Sequence, residues 1–127
     1  MHAVSRLRYH ARMQSAHATR PRLHPVVQAA LTAMEANDRA AWMTLFTDDI
    51  VLIDDGAPHD FVEWCDSEVF SPPPGKSRGY ITAITHVEPG GLRFTGRLHS
   101  AQWGDFEVYN HFTLRDGKIA RLDVGQA

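Results

Sequence analysis

The residues best suited to chemistry lie near the end of the chain: an imidazole, an amide and a carboxylate at His99, Asn110 and Asp123, with a guanidinium at Arg97. A carboxylate among apolar side chains gains proton affinity and can serve as a general acid or base. A histidine beside it can share that proton. An arginine or an amide can steady the oxyanion that develops when a carbonyl compound loses a proton. The expected chemistry is therefore proton transfer, with Asp123 and His99 catalytic and Arg97 and Asn110 holding the substrate.

Two turns have to bring these residues together. Gly104-Asp105 and Asp116-Gly117 each read as the centre of a two-residue hairpin. With those turns, His99 pairs with Asn110 and Asn110 with Asp123, a lateral row across three strands. Arg97, Phe112 and Arg121 form the row beside it. Register decides which side chains share a face, so the site expected here stands or falls with the two turns.

The elements follow from punctuation and periodicity. Pro25 suits the first position of a helix, and Val26, Val27, Ala30, Leu31 and Met34 recur at helical spacing. Asn37-Asp38 ends that helix, and Asp38 can cap a second over Arg39–Phe46. A short strand over Ile50–Ile53 stops at Asp54-Asp55-Gly56. A third helix over Asp60–Val69 carries Phe61, Trp64 and Cys65 on one side. Ser71–Gly75, with three prolines, is a stiff connector. Strands then follow over Gly79–Glu88, Leu92–Trp103, Phe106–Arg115 and Lys118–Val124. Helices first and a meander afterwards is an α+β pattern. The apolar pocket would be completed by Tyr80, Trp64, Phe61 and Asp54, the last at the end of the first strand.

Composition sets the bounds. The chain has 127 residues, 43% hydrophobic and 22% charged, enough for one domain with a real core. No apolar run reaches the ~18 residues of a membrane span. A single cysteine, Cys65, leaves no intramolecular disulfide, and a reducing, cytoplasmic location is expected. Residues 1–24 hold five arginines, four histidines and no acid, while the remainder carries a formal charge of −7. The leader reads as a flexible extension and 25–127 as the domain. Nucleic-acid binding would rest on that leader alone. There is no His-x-His, no His-Glu-x-x-His and no glycine-rich phosphate loop, so neither metal nor cofactor is expected. Leu98, Tyr109, Leu122 and Val124 fall on the sheet face away from the expected site. An apolar second face asks for a cover, and a second copy of the chain is the simplest one.

The segment ALTAMEANDRAAWMTLFTDDIVLID, residues 30–54, resembles the helix–helix–strand opening of the nuclear transport factor 2-like superfamily. HFTLRDGKIARLDVGQ, residues 111–126, resembles its last hairpin. The resemblance covers about 25–127 and is closest to the SnoaL-like branch. It implies a cone-shaped α+β barrel, a curved antiparallel sheet wrapped around three N-terminal helices, often paired through the outer sheet face. Epoxide hydrolases of this fold use Arg-x-Asp and a later Asp. Here Arg97-Leu98-His99 puts histidine in place of the first Asp, against that activity. The isomerase uses a Tyr and two Asp, for which Asp54 and Asp123 are available. The dehydratase uses paired His with Asp and Tyr, loosely matched by His86, His99 and Tyr80. SnoaL-like cyclases use an acidic residue as general acid/base, for which Asp123 is the match. The same superfamily contains binding and association modules without chemistry, so a dimeric ligand-binding module is the alternative function.

Overall fold

The computed structural model describes residues 22–70 and 79–127. The basic leader up to residue 21 and the proline-rich connector lie outside the described residues. Helix α1 spans Pro25–Glu35, with Pro25 in its first turn as expected and the His24 ring accepting from the Val26 amide. It ends where Asn37 turns left-handed at φ 55°, letting the Asn37 and Asp38 amides reach back to Met34 and Ala33 carbonyls. Asp38 then caps α2, Arg39–Met43, through the Ala41 amide. This helix is shorter than the sequence suggests, because Phe46 already belongs to strand β1, Phe46–Asp54. Asp60 caps α3, Phe61–Trp64, which widens into a π-helical turn over Cys65–Val69.

A strand missed in the sequence, β2 at Ala57–His59, folds back on β1 through Asp55-Gly56. Both turn residues have positive φ, 48° and 82°, the geometry that Asp-Gly favours in a two-residue hairpin. The remaining strands are β3 Tyr80–Val87, β4 Arg93–Ser100, β5 Gly104–Arg115 and β6 Lys118–Gln126. Together they form an α+β fold with one open six-stranded sheet in the order β2-β1-β6-β5-β4-β3. The sheet is mixed where an antiparallel one was expected, since β1 runs parallel to β6. The helices cover one face. Val27, Ala30, Leu31, Trp42 and Phe61 pack there on Leu52, Phe94, Phe112, Ile119 and Leu122. At about 1.5–3 kcal/mol per buried large side chain, this layer is the main source of stability.

Both expected registers need correction. Asp116-Gly117 is a two-residue turn with positive φ at both positions, and Arg115 pairs with Lys118 as expected. Two residues later Ala120 is left over as a bulge, so Thr113 pairs with Arg121 and His111 with Asp123. Asn110 therefore sits opposite Val124. The other hairpin closes through Ala101-Gln102-Trp103, with Ser100 paired to Gly104 and His99 to Asp105. The Ser100 hydroxyl accepts from the Gln102 and Trp103 amides and holds this longer loop, while Gly104 takes φ 80° at its exit. A shift by an odd number of residues reverses facing. Accordingly Leu98, Leu122 and Val124, expected outside, lie on the inner side of the sheet; Leu122 and Val124 pack in the helix-covered core, and Leu122 is 1% exposed.

Candidate functional site

Pairing partners in a sheet share a face, so the observed register sorts the expected site residues directly. Asp54, Val124, Asn110 and Phe94 form one row across β1, β6, β5 and β4 on the helix-covered face. The next row, Ile53, Asp123, His111 and Arg93, lies on the outer face. His99, Arg97 and Tyr80 share that outer face, near its far end. The row His99–Asn110–Asp123 does not form. Asn110 points inward, and Asp123 and His99 point outward with separate partners.

Those partners are charged. Arg121, two residues along the same strand, donates to both Asp123 oxygens at 2.9 and 3.0 Å. The guanidinium hydrogen bond is the main reason the Asp123 carboxyl is held below the usual range; His111 and Arg93 add to it. His99 bonds through Nδ1 to Asp105 across the hairpin and leans on the Tyr80 ring at 5.4 Å. Arg93 bridges to Glu88 at 3.1 Å and lies over the Tyr109 ring. The outer face thus carries three charge pairs, and Leu98, Leu122 and Val124 of the apolar row expected there are not on it.

The inner row is different. Asp54 ends β1 half-buried, and burial raises its proton affinity, with the neighbouring Asp55 charge adding to the effect. His59, on β2 opposite Leu52, and the Trp64 indole N–H oppose the shift. Trp64 is half-buried and stacks on Phe61, which continues into Phe46 and Trp42. Phe61 and Trp42 are core residues, 7% and 3% exposed, leaving Trp64 as the one of the three that borders the carboxyl. Asp54 and Asn110 stand two strands apart, about 10 Å at the backbone, with Val124 between them. An ionisable carboxyl, an amide and an aromatic ring around an apolar floor can orient a small ligand through its polar group.

Sequence reasoning named Asp54, Asn110, Trp64 and Phe61 but assigned the chemistry to Asp123 and His99. It missed His59, and the signal was available: Asp55-Gly56 is the same hairpin dipeptide as Asp116-Gly117. Cys65 is buried, with its thiol pushed up to about 11 by desolvation, and it accepts from the Trp42 indole at 3.3 Å, a packing role. Among the described residues, no three His, Cys, Asp or Glu side chains converge as metal ligands. No described helix is long and apolar enough to cross a membrane.

No family model matches the sequence, and no curated protein matches it. Solved structures do. A protein of Sinorhizobium meliloti, provisionally named a polyketide cyclase, superposes with a TM-score of 0.62 at 22% identity, over 80% of this chain and 94% of its own. A nuclear transport factor 2-like protein of unknown function from Cytophaga hutchinsonii gives 0.60 at 11% identity, over 80% and 87%. A Xanthomonas campestris protein with a cystatin-like fold gives 0.61 at 12% identity, over 80% and 88%. With its helices on one face of an open sheet ending in a long four-stranded meander, this chain has the nuclear transport factor 2-like fold.

Proposed function

We propose that the inner end of the sheet binds a small apolar carbonyl compound and that Asp54 moves a proton on it, in the manner of a cofactor-free SnoaL-like cyclase, isomerase or dehydratase. One observation carries this reading: Asp54 is a half-buried carboxyl of raised proton affinity on the helix-covered face, bordered by Trp64 and in line with Asn110. A carboxylate whose proton affinity moves toward neutral pH is a better general base. Asn110 would donate to the developing oxyanion. Likeness to provisionally named polyketide cyclases favours the substrate class. The catalytic role expected of Asp123 passes to Asp54, because Asp123 is tied to Arg121 on the other face. The protein would work in the cytoplasm, where its single thiol stays reduced.

A second reading is a ligand-binding module without chemistry. It is favoured by the engagement of Asp123 and His99 in outer-face pairs, which leaves one carboxyl and no paired acid at the inner row. A panel of apolar ketones, screened by amide NMR shifts and for turnover, separates the two. On the first reading, Asp54→Asn keeps binding and lowers turnover by about 10²-fold or more. Binding that shifts Trp64 and Asn110 with no turnover in the native chain would favour the module. Turnover lost in Asp123→Asn and retained in Asp54→Asn would return the chemistry to the outer face.

A further inference from the structure

The sheet has two edges, and they are built differently. Edge β2 is three residues long and carries Pro58, which has no N–H to offer. Edge β3 is eight residues long, YITAITHV, with no proline, no lysine and no acid. Along its free side no strand is paired among the described residues. Tyr80 is 41% and Ile84 38% exposed there.

The periodicity of β3 is unusual. Its pairing with β4 slips twice, between Ile81 and Ala83 and again between Ile84 and His86, leaving Thr82 and Thr85 as bulge residues. Each bulge turns the following side chain over. Ile81, Ile84 and Val87 therefore lie opposite Leu98, Gly96 and Phe94 on the inner face, at a spacing of three where an ordinary strand repeats at two. A regular strand laid along this edge would match its apolar positions to only part of that series. A strand with the same double bulge matches all of it.

We propose that β3 pairs antiparallel with β3 of a second copy about a two-fold axis through Ile84. That register sets Ile81 against Val87 of the other copy, Ile84 against Ile84 and Val87 against Ile81. It also sets Thr82 against His86 and Ala83 against Thr85. Every pair keeps to its own face, and the row of three apolar contacts is symmetric by construction. Cross-strand apolar pairs stabilise sheets, and no fixed like charges meet across the axis. The interface is isologous and closes at two copies, joining two six-stranded sheets edge to edge. It is independent of the acid/base reading of Asp54.

Light scattering on the full chain from micromolar to near-millimolar concentration tests this. The expected result is a mass rising toward twice that of the monomer, with β3 amides gaining hydrogen-exchange protection over the same range. Ile84→Lys should weaken association by at least about tenfold, because two ammonium groups meet at the axis. Ile84→Glu should do the same. Mixing the two variants should restore the dimer, which also shows that both fold. A chain that stays monomeric throughout would overturn the proposal. So would a dimer indifferent to both variants, or one broken by Arg97→Glu on the outer face while Ile84→Lys leaves it intact. β3 amides already fully protected in dilute monomer would show that the chain's own segments cover this edge, and would overturn it as well.

Discussion

Asp54, the last residue of β1, and Asp123, inside the neighbouring β6, stand one residue out of step, and almost everything about them differs. Asp54 pairs with Val124, and Asp123 with Ile53. Asp54 lies on the face the helices cover, where burial is the leading influence and raises its proton affinity. Asp123 lies on the open face, where the Arg121 guanidinium is the leading influence and lowers it. The outer face pairs its charges, as Arg93–Glu88, His99–Asp105 and Arg121–Asp123 do. In the inner row, Asp54 stands beside Trp64 and the aliphatic Val124. Strand parity alone separates a structural carboxylate from a candidate reactive one.

The strongest way to break this comparison is to exchange the environments of adjacent residues. Leu122→Lys puts an unpaired ammonium where Leu122 is 1% exposed. It should cost more than the ~2–5 kcal/mol of truncating a buried leucine to alanine and leave the chain largely unfolded by far-ultraviolet circular dichroism. If Leu122→Lys instead kept its fold, the assignment of the two faces would be reversed.

A smaller effect is expected at Gly125, on the outer side beneath Tyr109. An added Cβ would lie 2.7 Å from an Asp55 oxygen and from a Tyr109 ring carbon. Gly125→Ala should destabilise by about 1–3 kcal/mol in urea titration, since Tyr109 and the Asp55 contact to the Gln126 amide must shift.

The carboxylates themselves should respond to pH with opposite sign. Asp123 has a lowered folded-state pKa, so its stabilisation is present above the unfolded value and lost as pH falls through the folded one. Asp123→Asn should therefore cost stability at neutral pH, under about 1 kcal/mol for so exposed a pair, and converge with the native chain in acid. Asp54 has a raised folded-state pKa, so stability declines as pH rises from the unfolded value through the folded one. Asp54→Asn should be neutral or stabilising at neutral pH and lose that advantage in acid. Thermal midpoints of the three proteins from pH 3 to 8 measure both trends. Parallel curves would remove the distinction between the two carboxyls.

The finest test is the order of titration. Carboxyl carbon NMR should find Asp49, bonded to Arg115, near the bottom at about 2, Asp123 below its ordinary value and Asp54 above it. An Asp54 that titrates with Asp123 would remove the support for proton transfer on the inner face.

Local chemistry was legible in the residues. Pro25 opens α1, Asp38 caps α2, and Asp116-Gly117 makes its turn, because each depends on atoms within a few positions. The α+β character was legible for the same reason. Ser100 and Gly104 also encode their three-residue loop locally, through a hydroxyl at its start and a left-handed position at its exit. The Gly104-Asp105 dipeptide masks that signal.

What the chain determined by itself is which segments become helices, strands and turns. Tertiary structure decided which way each side chain faces. The bulge at Ala120 and the two bulges in β3 have no marker at their own positions; the first turns over every residue beyond it, and the pair in β3 turns over the residues between them. The parallel pairing of β1 with β6 joins residues some seventy positions apart. Burying Leu52, Phe112 and Leu122 together favours that alignment, and the same alignment sends Asp123 to Arg121 and water and Asp54 to the covered face.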